Sequence, residues 1–280
     1  MQSAASKMIL PLRIQSSQIP FTRRIGMRTY IWVLLIAGCV LGRATVSYAD
    51  ETPTFGTFAL FELESDWTRK SPDEKRKGLE EASAVFTAYK ERVTVDGYWT
   101  YGLTSDSHFM LRLHASELQA NQQLLTDLRS TGLGQYLELE FSMSGVTKGL
   151  NYAPDFPDLL VQLKKAKYEG PPPKYAIMIP TRKDAAWWNL SKEERTTMMR
   201  EHTVPTLPYL KTVKRKLYHS TGLADADFIT IFETNSLVEF NNLMIALRMV
   251  REDTHNVRLG SPTVLGTIKS WQEIQGLLEK

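Results

Sequence analysis

One segment of this chain is written twice. Ser71-Pro72-Asp73-Glu74-Lys75-Arg76 reappears as Ser191-Lys192-Glu193-Glu194-Arg195, Gly102-Leu103 as Gly222-Leu223, and Asp106-Ser107-His108-Phe109 as Asp225-Ala226-Asp227-Phe228. Leu118 and Leu124 match Leu237 and Leu243, and every match sits at an offset of 119 or 120 residues. Such self-similarity marks one supersecondary unit copied in tandem, so whatever the first copy folds into, the second must fold into as well.

The second copy defines the unit. Residues 174–180 are an apolar run that predicts a strand, and Ser191 with Glu194 three positions on is a capping box that opens a helix. Residues 212–220 and 227–234 alternate and are joined at a Gly turn, as two hairpin strands do. Ser236 opens a second helix with Leu237, Phe240, Leu243, Met244, Leu247 and Val250 on one stripe, and 262–269 closes as a strand. The matching pieces of the first copy are 55–64, 71–90, 94–101, 108–114, 116–129 and 136–144. Strand, helix, strand, strand, helix, strand is the ferredoxin-like βαββαβ unit. The expected fold class is therefore α+β, two tandem ferredoxin-like units forming a dimeric α/β-barrel-type subunit. The units run over 50–167 and 168–280, with Tyr168-Glu169-Gly170 and the prolines Pro171, Pro172 and Pro173 as a stiff joint.

Residues 1–49 stand outside this scheme. They carry Lys7, Arg13, Arg23, Arg24, Arg28 and Arg43 and no acid, then an apolar run from Ile31 to Leu41, then Ser47-Tyr48-Ala49. That layout predicts a secretory signal cleaved after Ala49. The apolar run falls short of the roughly 20 residues a membrane span requires. A lipoprotein-type box at Ile36-Ala37-Gly38-Cys39, which would leave a lipid-anchored Cys39, ranks second because the run continues past it. The expected location is the periplasm.

Taking the signal away changes the charge argument. The whole chain is +3, with 34 basic and 31 acidic residues, and loss of the six basic residues leaves 28 against 31. The mature chain is slightly acidic, which gives no electrostatic footprint for nucleic acid. Cys39, the one cysteine, belongs to the signal, so disulfides, thiolate catalysis, cysteine zinc sites and covalent haem attachment are all excluded.

The repeat also separates scaffold from chemistry. Opposite His202 the first copy has Ala82, opposite Arg215 it has Val95, and opposite Glu252 it has Leu133. Of the five histidines, His108, His114, His219 and His255 read as strand or loop residues with packing roles. His202 lies on a helix after Met198 and Met199, just before Pro205 should break that helix. Alternation along 213–219 puts Val213, Arg215 and Leu217 on one strand face, and 228–234 puts Phe228, Thr230, Phe232 and Thr234 on one face of its neighbour. If the two faces line one interior, Arg215 points into an apolar chamber. A buried guanidinium without a partner is costly, so Arg215 is expected to meet an anion there. Glu233 points the other way.

From Tyr175 to Ile268 the residues resemble the chlorite dismutase family of haem b proteins. The likeness is carried by Lys183, Trp187-Trp188, the Arg195 to His202 helix, Leu217-Tyr218-His219, Gly222-Leu223, Asp227-Phe228, Phe232-Glu233-Thr234, Glu252 and Leu259-Gly260-Ser261-Pro262-Thr263, in that order. The resemblance implies one non-covalent haem b per subunit with His202 as the proximal iron ligand. Glu252 would accept the other ring N–H of His202, and Lys183 would join that network. Trp187, and Tyr152 from the other copy, would lie by haem propionates, and Trp188 at a subunit contact. Arg215 would be the distal, catalytic arginine, with Leu217, Thr230 and Phe232 walling the pocket.

The activity implied is decomposition of chlorite to chloride and dioxygen: the O–Cl bond breaks, Arg215 retains the hypochlorite, and an O–O bond forms. The resemblance also implies a homo-oligomer, a ring of five in the longer members. The alternatives are a coprohaem decarboxylase-type member, a peroxidase-type member, or a periplasmic haem carrier or sensor without turnover. An arginine where the decarboxylases have glutamine argues against the first, and a distal wall without a histidine argues against the second. Many relatives have a further tryptophan soon after the glutamate, and residues 253–262 contain none.

Overall fold

The computed structural model of the chain describes residues 53–149, 159, 161–163 and 166–280. Tyr152, Cys39 and the whole expected signal lie outside the described residues. Nine strands are described: β1 Thr54–Leu63, β2 Thr94–Trp99, β3 Phe109–Ala115, β4 Leu137–Thr147, β5 Tyr175–Lys183, β6 Val213–His219, β7 Phe228–Thr234, β8 Asn256–Leu259 and β9 Val264–Lys269. The helices are α1 Ser65–Thr68, α2 Pro72–Tyr89, α3 Leu118–Arg129, α4 Ala185–Asn189, α5 Lys192–Thr203, α6 Leu237–Leu247 and α7 Trp271–Leu278.

The first half pairs its strands in the order β4-β1-β3-β2, the second in the order β9-β5-β7-β6. Both are the ferredoxin-like order, all antiparallel, and each half lends its two edges to the other. β2 pairs with β9 through Gly97↔Lys269 to Trp99↔Thr267, and β4 meets β6 at Val146↔His219. The sheet thus closes into an eight-stranded ring, with β8 extending the end of β5. Closure removes free edges that would otherwise template aggregation.

Alternation sorts the side chains into layers. Phe58, Leu60, Tyr98, Met110, Met178, Tyr218, Ile229 and Ile231 fill the barrel. Ala59, Phe61, Leu111 and Leu113 face outward in the first half and pack on Leu79 and Ala82 of α2, Leu124 and Leu128 of α3, and Ile274 and Leu278 of α7. In the second half Ile177, Ile179, Val213 and Phe232 pack on Leu243 and on Phe240, Met244 and Leu247 of α6. At the β4–β6 seam the glycines of β1 and β4 make room for Tyr218, since a Cβ on Gly145 would lie 2.9 Å from Tyr218 Cβ.

Several boundaries differ from expectation. β5 runs on through Pro180 to Lys183, because Pro180 still pairs in register with Ile229 and its carbonyl accepts from Gly260 N–H. The helix bearing His202 does not simply break at Pro205; it tightens into a 3-10 turn, Val204–Tyr209, whose first positions tolerate a residue without an N–H. Val250 leaves the predicted stripe, since α6 ends at Leu247 and Val250 is extended ahead of the next turn. α7 and β8 were not anticipated. The capping box of Ser270 and Glu273, with both reciprocal bonds formed, was the readable sign of α7.

Candidate functional site

The site lies on the outer face of the second half, between the sheet and α5, α6 and the 3-10 turn Arg251–His255. Ser191 and Glu194 cap α5 at its start, and Arg195 donates to Leu190 O (2.7 Å) and Trp188 O (3.0 Å), which binds α5 to α4. His202 falls in the last turn of α5. Consecutive residues of that turn meet consecutive residues of the 3-10 turn: Arg251 Nε donates to Glu201 Oε2 at 2.8 Å, and His202 Nδ1 lies 2.9 Å from Glu252 Oε2.

That second contact fixes the imidazole. Burial, followed by the charges of Arg215 and Lys183, pulls the His202 pKa well below the ordinary histidine range, so the ring is neutral. A neutral ring facing a carboxylate must carry its proton on Nδ1 and donate it, which leaves the Nε2 lone pair free for a metal. The His202 side chain is 26% exposed and lines the cavity, so the ring is reachable from it.

Glu252 is held in turn. Its Oε1 pairs with Lys183 Nζ, both side chains being almost wholly buried. Lys183 sits just past a register shift in the β5–β8 pairing, and its backbone N–H donates to Asp227 Oδ2 at 2.8 Å. Burial lowers the Lys183 ammonium to about 8, against the opposing pull of Asp253, Asp184 and Asp227, so it stays protonated at neutral pH. The ammonium stands 4.6 Å over the Trp187 ring and donates to Asn256 Oδ1 at 2.7 Å. Asp184 accepts from Trp187 N–H at 2.7 Å to start α4 and also pairs with His255 Nδ1 at 3.0 Å, so His255 is tied into the site rather than being a bare loop residue.

The cavity holds about 660 Å³ of space continuous with solvent. Leu217, Thr230 and Phe232 line its sheet wall, with Phe228 beside them. Trp188 is 38% exposed and stacks on Phe228 with ring centroids 6.2 Å apart.

Arg215 requires a correction. It shares a face with buried Val213 and with Leu217, as parity demanded, but it is exposed rather than enclosed in an apolar chamber. The helical layer covers Val213 at one end of β6 and leaves Arg215, two residues on along the same face, open to solvent; alternation reports a face, not a depth. Arg215 Nη1 reaches Thr206 Oγ1 at 3.5 Å, and its charge contributes to keeping His202 neutral, so it borders the site. Sequence reasoning assigned no site role to Asp227, Asn256, the Asp184–His255 pair or Thr206.

The residues fit a haem. A neutral imidazole with a free Nε2, backed by a carboxylate, is a proximal donor of the kind haem iron takes. Trp187 is fully buried, lines the cavity, and its indole N–H has no partner among the described residues. A buried unpaired donor is rare and calls for an acceptor, such as a carboxylate of a bound group. A larger groove of about 1850 Å³ lies between α3 and β4 in the first half, but its lining contains no histidine and its arginine, Arg129, is taken up by the carbonyls of Gly134 and Leu137.

An antiparallel barrel of two ferredoxin-like halves, with a histidine–glutamate–lysine chain under one cavity, defines a class of haem-binding proteins. The chain belongs to the chlorite dismutase family, whose description it matches over residues 75–269. It is 46% identical over 227 residues to the chlorite dismutase of Ideonella dechloratans, covering 80% of this chain and 79% of that one. The structure of chlorite dismutase from Candidatus Nitrospira defluvii in complex with imidazole superposes with a TM-score of 0.77 at 40% identity, covering 81% of this chain and 95% of that one. A coproheme decarboxylase of Mycolicibacterium smegmatis is more distant, at 28% identity over 186 residues, 65% of this chain and 78% of that one.

Proposed function

We propose that this chain is a haem enzyme that decomposes chlorite to chloride and dioxygen. The observation that carries the reading is the buried Lys183–Glu252–His202 chain, which delivers a neutral, proton-fixed imidazole to the cavity. When bound, haem supplies a redox-active iron at which the O–Cl bond can break and an O–O bond can form. His202 would hold that iron through Nε2, and Glu252 would make the ring a stronger donor by accepting the hydrogen bond of its Nδ1–H. Trp187 would offer its indole N–H, which has no partner among the described residues, to a propionate; Tyr152 is proposed as a second propionate contact.

Arg215 acts on the open side. It is cationic at any working pH and sits at the exposed rim, so it can meet chlorite as it enters and hold an oxyanion against escape. Leu217, Thr230 and Phe232 provide a wall without an acid–base group. Chlorite to chloride plus dioxygen needs no net proton, so such a wall is adequate.

The cofactor is proposed to be haem b, non-covalent and one per subunit, in keeping with the lack of cysteine outside the leader. Residues 1–49 are proposed as a secretory signal, the mature protein as periplasmic, and the assembly as a homo-oligomer, a ring of five by family likeness. No described helix is long and apolar enough to cross a membrane.

Haem-loaded protein mixed with chlorite in an oxygen electrode should release about one dioxygen per chlorite. His202→Ala should fail to retain haem, whereas Arg215→Ala should keep haem and lose sustained turnover. A fully haem-loaded preparation that releases no oxygen would sink the enzyme reading, and equal haem loss in both variants would mean that Arg215 is misassigned.

A further inference from the structure

The buried ammonium of Lys183 has three N–H donors, and its surroundings provide three places for them. One is Glu252 Oε1, one is the face of Trp187 at 4.6 Å, and the third is Asn256 Oδ1 at 2.7 Å. Asn256 lies across from Lys183 in the β5–β8 pairing, where the register shifts. Its amide cannot turn around without loss: Nδ2 donates to Asp253 Oδ1 at 3.0 Å, and Asp253 Oδ1 also accepts from Arg248 Nη1 at 3.1 Å. The amide oxygen therefore faces the ammonium and the amide nitrogen faces a carboxylate, each with the partner its polarity requires.

This matters for His202 because Glu252 divides its two oxygens between two donors. Oε2 takes the imidazole N–H and Oε1 takes the ammonium. The harder the ammonium presses on Oε1, the less negative charge Oε2 has to draw on the ring proton. In a water-poor site such coupling along a hydrogen-bond chain is strong.

The geometry points to Asn256 as a positioning residue that shares the Lys183 ammonium with Glu252 and so sets how strongly Glu252 pulls on the His202 ring proton. The inference rests on the proposed function, in that His202 is taken to hold haem iron. Asn256 touches neither His202 nor, by the contacts above, the reacting groups; it acts through Lys183.

Two variants move the ammonium in opposite directions. Asn256→Asp puts a competing carboxylate beside Lys183 and sets its other oxygen against Asp253, whose charge Arg248 shares; the added negative charge draws the ammonium off Glu252 and strengthens the pull on His202. Asn256→Leu removes the amide acceptor, leaves Glu252 as the one oxygen among the three places described and weakens that pull. In haem-loaded protein, Asn256→Asp should lower the Fe(III)/Fe(II) midpoint potential and raise the iron–histidine stretching frequency of the ferrous form. Asn256→Leu should shift both quantities the other way. Shifts of the same sign in both variants, or none in either, overturn the inference. Should Asn256→Leu fail to fold, Asn256→Asp decides alone through the iron–histidine frequency, because an added negative charge lowers the potential by itself; an unshifted frequency counts against the inference. The underlying reading fails differently: wild-type ferrous protein would then lack an iron–histidine mode, or His202→Ala would keep it.

Discussion

Trp67 and Trp187 stand 120 residues apart, at the same point of each copy, and differ in one hydrogen bond. Trp67 is 2% exposed and donates its indole N–H to Leu278 O at 2.7 Å; Trp187 is 0% exposed and donates to nothing described. In the first half, α7 occupies the region beside Ala82 and Leu133, the counterparts of His202 and Glu252, so what is cavity in one copy is core in the other. Trp67→Phe and Trp187→Phe remove the same atoms, yet only the first strands a buried carbonyl. Urea unfolding of haem-free protein should show Trp67→Phe to be the more destabilising by about 1–3 kcal/mol. Trp187→Phe should instead accelerate haem loss from the loaded protein. Equal unfolding losses would remove the case that the Trp187 N–H is held ready for a ligand.

At the scale of elements, the strands and helices that occur in both copies were legible because each could be read twice. Periodicity placed Phe228, Thr230 and Phe232 on one face and Glu233 on the other; in the structure the first is the cavity face and the second the barrel interior, where Arg112 Nη2 meets Glu233 at 3.2 Å. The depth of Arg215 was not legible, because whether a helix covers the middle of β6 depends on where α5 and its 3-10 extension end. Asn256 was hidden for a similar reason: its value lies in a register shift between β5 and β8, and no local pattern announces one. α7 falls after the last repeated strand and so had no second copy to reveal it. It belongs to the first half in space, since Ile274 (0% exposed) and Leu278 pack beside Leu79 and Ala82 while Trp271 donates its indole N–H to Ser83 Oγ at 2.9 Å. Ile274→Ala should therefore cost about 2–5 kcal/mol of unfolding free energy. Haem content and the haem spectrum of the folded fraction should remain those of wild type. Haem loss parallel to the stability loss would mean that the halves are not separable in this way.

At the scale of the whole molecule, the barrel depends on two joints of unequal strength. β2 and β9 share a run of register pairs, whereas β4 and β6 share the single pair Val146↔His219. The weaker joint is also where two histidines are kept neutral. Tyr218 O–H of β6 lies against His114 Nε2 of β3, and a neutral imidazole can accept its proton there. Burial, then the charges of Arg112 and Lys216, lowers His114 to about 4, with Asp96 opposing. Burial, then Lys148, lowers His219 to about 4, against a backbone hydrogen bond. In the unfolded chain both should titrate near an ordinary histidine pKa of about 6.5. Above that value neither state binds the proton and the full stability is present. As the pH falls from about 6.5 toward 4, the unfolded chain takes up protons that the folded seam refuses, so stability declines. The decline should be local before it is global. Hydrogen exchange on haem-loaded protein should show β4 and β6 amides losing protection between pH 7 and pH 5 while β2 and β9 amides hold. Replacing both histidines with glutamine should flatten that loss, since a glutamine oxygen can still accept from Tyr218 and takes up no proton. A double variant whose β4 and β6 amides open with acid as in wild type would place the sensitivity outside the seam.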